Sequence, residues 1–289
     1  MKSFKYGRIF PLAIAFLLAA GCGGGGGGGG TTTQASGTGS FVLNAAKTEL
    51  AFEITVNGLS GPITAAHFHN AAAGVDGLVV RTITSSFSNT ASGTWKSTDG
   101  EALTPALVTE LEAGRIYVNI HTAANSDGEI RGQLNIVSSG SEGFTAGLKG
   151  SEEVTPAATL GTGTGAFVLN AAKTELTFDI TVNDLSGPIT AAHFHNAAAG
   201  VDGLVVRTIT SSFSNTASGI WKSTDGSESL TLALVTELEA GRIYVNIHTA
   251  ANPDGEIRGQ VIANPGTGFV AKLTSGAEVG GGGGGGGGY

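Results

Sequence analysis

Leu50-Ala51-Phe52-Glu53-Ile54-Thr55-Val56-Asn57 decides the fold class. Large apolar residues alternate with small or polar ones, the period of a strand that buries one face and turns the other outward. Working outward, Phe41-Val42-Leu43, Leu78–Ile83, Arg115–His121 and Glu129–Val137 are further strand candidates, rich in Val, Ile, Thr and aromatics. Asn57-Gly58, Ser60-Gly61-Pro62, Asp76-Gly77, Asp99-Gly100 and Asp127-Gly128 punctuate them as turns. Helical spacing occurs at Thr104–Ala113, with Leu103, Leu107 and Leu111 four apart. Short strands without a βαβ rhythm predict an all-β, antiparallel sandwich or barrel.

The unit is written twice. Phe41–Gly100 and Phe167–Gly226 align with four differences: Ala51/Thr177, Glu53/Asp179, Gly58/Asp184 and Thr94/Ile220. After one inserted residue near Ser227–Leu230, Gly114–Gln133 matches Gly241–Gln260 except at Ser126/Pro253. The expectation is two tandem antiparallel β-sandwich domains, immunoglobulin-like or superoxide dismutase (SOD)-like barrels, each with at most one short helix.

A third element recurs without a core of its own. Gly143-Phe144-Thr-Ala-Gly-Leu148 through Glu153 returns as Gly268-Phe269-Val-Ala-Lys-Leu273 through Glu278. If it opens a domain, the first domain lacks its opening strand and the last copy is an orphan. If it closes a domain, both are complete, and closure is preferred because an unpaired apolar strand is costly. The predicted organisation is 1–21 signal peptide, 22–40 Gly/Thr-rich tether, 41–155 first domain, 156–280 second domain and 281–289 poly-Gly tail.

Lys2, Lys5 and Arg8 precede an apolar run, Ile9–Ala20, too short to span a bilayer, and Leu18-Ala19-Ala20-Gly21-Cys22 closes it. The only Cys falls where a bacterial lipobox, which this segment resembles, places the lipidated residue. Gly23–Gly30 and the Thr-rich stretch after it read as a flexible tether. Gly23 in place of Asp favours the outer membrane or cell surface. Across its 289 residues the chain carries a net charge of −8, with no basic run beyond the N-terminus. Nucleic acid is therefore excluded as a partner, and one Cys excludes an intrachain disulfide or a Cys-cluster zinc site.

Ala66-His67-Phe68-His69 with Gly74 and Gly77-Leu78-Val79-Val80, then Gly114–Thr122 and Gly128–Gln133, resemble the CHRD (chordin) domain. His193, His195, Tyr244–Thr249 and Gly255–Gln260 repeat these signatures, and the Phe144–Glu153 element resembles the strand that usually begins such a domain. The resemblance implies an extracellular β-sandwich-like module and brings no established activity.

All six histidines lie in these motifs. His67 and His69 are two apart, so on a strand they share a face. His121 from Arg115–His121 would complete a three-His site, repeated as His193, His195 and His248, a ligand set suited to copper or zinc. Glu129 and Asp76 are candidates for a fourth ligand or a supporting partner. The alternative is that the imidazoles hydrogen-bond loop backbone on a polar sheet face. A four-residue turn at Asn125–Gly128 would set His121 opposite Gly132, and a shift of one would set it opposite Arg131. Glu129 and Arg131, with Glu256 and Arg258, are expected to form exposed same-face ion pairs. Asn119, Asn246, Trp95 and Trp221 read as core residues. The adjacent carboxylates of Glu152 and Glu153 point to opposite faces of a strand and do not suit paired acid–base work. No nucleophile elbow or phosphate loop is present in the sequence, so the chain is expected not to be an enzyme.

The reading is a lipid-anchored, extracytoplasmic binding or structural module of the cell envelope. It would be attached through Cys22 and hold envelope polysaccharide or protein, with no cofactor. The alternative is a copper- or zinc-binding protein with one three-His site per domain.

Overall fold

The computed structural model describes residues 34–83, 87–137, 140–209, 214–264 and 266–278. The predicted signal peptide, Cys22 and the poly-Gly tail lie outside them. The first half holds β1 (Ser36–Leu43), β2 (Glu49–Asn57), β3 (Ile63–Asn70), β4 (Leu78–Thr82), β5 (Thr90–Lys96), α1 (Pro105–Glu112), β6 (Ile116–Thr122), β7 (Ile130–Gln133) and β8 (Asn135–Ile136). The second half runs β9 (Glu142–Lys149), β10 (Thr162–Leu169), β11 (Glu175–Asn183), β12 (Ile189–Asn196), β13 (Leu204–Thr208), β14 (Thr216–Lys222) and α2 (Leu232–Glu239). It ends with β15 (Ile243–Thr249), β16 (Ile257–Gln260), β17 (Ile262–Ala263) and β18 (Thr267–Thr274). Each half is all-β, an antiparallel, barrel-like sheet with one α-helix, as expected. Among the described residues no helix is long and apolar enough to cross a membrane.

One strand, β18, does not stay in its own half. One sheet runs β4-β3-β6-β7-β18-β1-β2-β5, with β8 also on β18, and the other β13-β12-β15-β16-β9-β10-β11-β14, with β17 on β9. The Phe144 strand therefore opens the second domain, and the Phe269 strand, last among the described residues, fills the matching place in the first. This corrects both the closure reading and the boundary at 155. Phe269, Ala271 and Leu273 join the core of Phe41, Phe68 and Trp95, with Phe269 directly across from Phe41. Phe144, Ala146 and Leu148 do the same in the second core. Among the described residues no apolar strand is left over, which removes the cost that had favoured closure.

The tether also ends sooner than expected. Ser36–Ser40 belong to β1, held between β2 and β18. Their glycines are close-packing residues: a Cβ on Gly37 would lie 2.8 Å from the Thr55 carbonyl oxygen, and one on Gly39 would lie 2.7 Å from the Phe41 ring.

In β2, Leu50, Phe52, Ile54 and Val56 face inward as the alternation predicts. Thr55 faces outward yet is fully buried, because the two domains pack there. Its Oγ1 lies 2.7 Å from Thr164 Oγ1, and Thr38 Oγ1 lies 2.8 Å from Thr181 Oγ1. The crossovers mirror each other, with Val137 N donating to Gly268 O and Asn264 N to Gly143 O. The paired contacts relate the duplicated halves by a pseudo-two-fold axis, and β18 is the strand that passes from one half to the other.

Candidate metal centre

The β3–β6–β7 segment has two chemically distinct faces. β3 pairs with β6 so that His67 opposes Asn119, His69 opposes Tyr117 and Ala65 opposes His121. Strand alternation sends Ala66, Phe68, Val118 and Ile120 into the core and His67, His69, Tyr117, Asn119 and His121 to the other side. A bulge between Phe68 and His69 in the pairing with β4 adjusts the aim of the His-x-His pair. The connection to β7 is longer than a four-residue turn. Thr122 and Asn125 exchange backbone hydrogen bonds, Gly128 N donates to Asn125 O, and the ladder resumes at Ile120↔Ile130 and Asn119↔Arg131. Neither anticipated register occurs, and Arg131 shares the face of the histidines through its place opposite Asn119.

The three rings converge. His67 Nδ1 is 3.2 Å from His121 Nε2, and one nitrogen from each ring falls within 4.8 Å of the other two. His69 Nδ1 lies 2.9 Å from Gly77 O and His121 Nδ1 lies 3.0 Å from Ser126 O. A carbonyl accepts only from N–H, so each of these two rings carries its proton on Nδ1 and aims an Nε2 lone pair inward. The Nε2 of His69 is buried without a partner. His193, His195 and His248 repeat the arrangement, His248 using the Pro253 carbonyl where His121 uses that of Ser126. The substitution between the copies is silent because only the backbone is engaged. Burial holds His67, His69, His193, His195 and His248 below the ordinary imidazole range, and the neighbouring imidazoles add to this for all but His248. Two rings of fixed tautomer in each triad and the convergence of one nitrogen from each of three rings fit copper or zinc.

Residues outside the triad hold it in place. The Tyr117 ring is stacked on His69 at 4.9 Å, and the Arg131 guanidinium lies 3.4 Å from the Tyr117 centroid. Gly77 clamps the pair, offering its carbonyl to His69 and its N–H to Tyr117 Oη at 3.0 Å. Any Cβ there would strike Asn70 O at 2.2 Å. No role for Tyr117 was legible beforehand. Its spacing, two residues from Asn119 and four from His121 on one strand, was the available signal.

The expected Glu129–Arg131 ion pair does not form. Glu129 accepts from Ser60 N and Oγ and from Thr122 Oγ1, each at 2.6 Å, and from Asn125 Nδ2. Buried Arg131 reaches Val75 O and pairs with exposed Asp76. Glu256 and Arg258 part in the same way. Although burial opposes its ionisation, hydrogen bonds from Ser186, Thr159 and Thr249 bring Glu256 down to about 2. The reason lies in long-range contacts: Glu129 and Glu256 precede their strands and meet hydroxyls of the Ser60 and Ser186 turns. These carboxylates fasten the loops around the triad and are not its ligands. Asp76 likewise spends its carboxylate on Arg131. Asn119 donates to the Asp127 carbonyl, a core amide supporting a loop. Trp95 is fully buried, with Nε1 donating to Glu101 O, and Trp221 repeats it with Glu228 O.

Two carboxyl groups beside the imidazoles went unassigned in the sequence. Glu153 follows the short 3₁₀ turn after β9, and Glu278 follows the one after β18. Each lies beside the Asn and Arg of one histidine face. The strand exchange thus brings Glu278 from the far end of the chain to the first domain.

No curated protein and no solved structure matches the chain. The CHRD domain family model matches residues 26–134 and 144–261, the second match beginning at the Phe144 strand and the Phe269 strand lying beyond both. The matched residues make up well over half of the chain and contain both histidine triads. The chain therefore belongs to the CHRD domain family and carries two tandem copies of that domain.

Proposed function

We propose that this protein is a lipid-anchored, extracytoplasmic binding module of the cell envelope, and that each CHRD domain holds one copper or zinc ion on its three histidines. The observation that carries the reading is the convergence of three ring nitrogens within 4.8 Å, twice. Backbone carbonyls fix the tautomers of two rings in each set. Metal-binding imidazoles commonly need this support. The His-x-His strand followed by a late His on an antiparallel barrel suits a SOD-like variety of the fold. Three histidines per domain fall short of a two-metal dismutase centre, and binding rather than turnover is the role.

The N-terminal charges, the short apolar run and Cys22 support attachment to the outer membrane or cell surface through a lipidated Cys22. Fractionation of cells expressing the Cys22→Ala protein tests this, since the variant should leave the membrane fraction.

Metal content and titration of the Cys22→Ser protein, beside the same protein with His67→Ala and His193→Ala, test the metal reading. Two equivalents of copper or zinc bound, and lost in the variant, are expected. Binding no greater than the variant's overturns it. A second reading, a module that holds an envelope polysaccharide or protein, would then stand on the exposed apolar side chains of Leu78, Val79, Leu204 and Val205 along edge strands β4 and β13.

A further inference from the structure

In the second domain the buried polar atoms without a partner include His195 Nε2, Asn246 Oδ1 and Glu153 Oε1. The first domain leaves the equivalent three atoms of His69, Asn119 and Glu278 unpartnered. Buried acceptors are seldom left without a donor, and the same trio in both domains calls for a common explanation. The two glutamates sit at matching positions of the recurring Phe144 and Phe269 elements, and each reaches its face by a different chain connection.

The three residues of the second domain line one cleft of about 370 Å³ with Asp202, Gly203 and Tyr244. Glu153 is 8% exposed and Asn246 3%. Asn246 stands across the ladder from His193 and two residues before His248, beside the triad on both counts. Its Nδ2 lies 3.5 Å from Glu153 Oε2, which brings the carboxyl up to the histidine face. The loop backbone presses on both groups: a Cβ on Gly255 would fall 2.6 Å from Glu153 Oε1 and from Asn246 Nδ2. Gly128 meets Asn119 and Glu278 in the same way.

An imidazole lone pair is satisfied by a metal ion. The amide oxygen of Asn246 and the ionised carboxylate of Glu153, which line the same cleft, need something that donates hydrogen. A centre with three protein ligands keeps a further position open, and water is the simplest donor to occupy it.

We infer that each three-histidine centre is open on the cleft side. Its free position takes a small exchangeable ligand, water in the first instance, held by Asn119 and Glu278 in one domain and by Asn246 and Glu153 in the other. The inference rests on the metal reading and adds that the site admits small molecules to the ion. It assigns the Phe144 and Phe269 elements a second role, as suppliers of the residue that controls entry.

The test loads the Cys22→Ser protein with Co2+ and titrates azide at pH 8, following the visible absorption of the metal. The Glu153→Gln/Glu278→Gln protein should hold two Co2+ as the parent does and bind azide about tenfold more tightly, since a carboxylate no longer repels the anion. The Asn119→Asp/Asn246→Asp protein, which adds charge, should shift azide binding the other way. Superimposable azide titrations for all three proteins overturn the inference while leaving the metal reading intact. Loss of Co2+ from the Gln variant also overturns it, because the carboxylates would then be ligands themselves. If the parent takes up no Co2+, the metal reading fails and the inference with it.

Discussion

His67 Nδ1 and His121 Nε2 lie 3.2 Å apart, and His121 has already committed its Nδ1 proton to the Ser126 carbonyl. In the metal-free protein His67 must therefore donate and His121 accept. A metal ion replaces that shared proton, and protons compete with it for the rings. Burial holds His67 and His69 below the ordinary imidazole value. Zinc affinity should thus be flat from pH 8 to about 6.5 and fall by about tenfold or more per pH unit at lower pH. Isothermal titration across that range checks this, and a slope that begins near pH 8 would contradict it.

The same depressed imidazoles make the metal-free protein sensitive to acid. The unfolded chain takes up protons near pH 6.5, whereas the folded rings of His67, His69, His193, His195 and His248 titrate lower. Stability is complete above that value and is lost as pH falls below it. Glu153 works in the opposite direction. Burial pushes its carboxyl up to about 7 from an ordinary 4.5, so its contribution is present at low pH and lost as pH rises through 7. Glu153→Gln should therefore gain about 1–3 kcal/mol over the parent at pH 8, and nothing at pH 4.5. Urea unfolding at the two pH values measures the difference.

Exchange of the last strand makes a prediction about location. Phe269→Ala should cost about 3–5 kcal/mol, and the loss should fall on the first domain, although residue 269 follows the second in the chain. Phe144→Ala should do the reverse. Each domain buries a single tryptophan, Trp95 or Trp221. Fluorescence unfolding in a Trp221→Phe or Trp95→Phe background then reports one domain at a time.

The inter-domain threonines lend themselves to a cycle. Thr38→Val alone leaves Thr181 Oγ1 buried without its partner and should cost about 1–3 kcal/mol. Adding Thr181→Val removes the stranded hydroxyl and should recover most of the loss, giving a coupling of about 1 kcal/mol or more. Additive costs would show that water serves these hydroxyls equally well.

Local periodicity was readable and non-local choice was not. The alternation at Leu50–Val56 and the four-residue spacing of Leu103, Leu107 and Leu111 correspond to β2 and α1, because each pattern follows from the geometry of its own element. The same parity put His67 and His69 on one face. The register of His121 was not readable, since hydrogen bonds between Thr122 and Asn125 lengthen the turn. The partners of Glu129 were hidden because Ser60 lies 69 residues away in the chain. Which sheet receives the Phe269 strand depends on a vacancy beside β1, and nothing within the strand's own eight residues encodes it. Glu278 went unassigned for that reason, although Phe144–Glu153 and Phe269–Glu278 share one spacing.

The position of β18 also orders events in time. During synthesis the residues of the first domain emerge first, yet that barrel has a gap between β7 and β1 until the final strand is made. The second domain, which has β9 at its beginning, can close while its partner still waits. The domain nearest the N-terminus is therefore the later of the two to become whole, and an interruption of translation between Ala263 and β18 releases a molecule with one finished barrel and one unfinished.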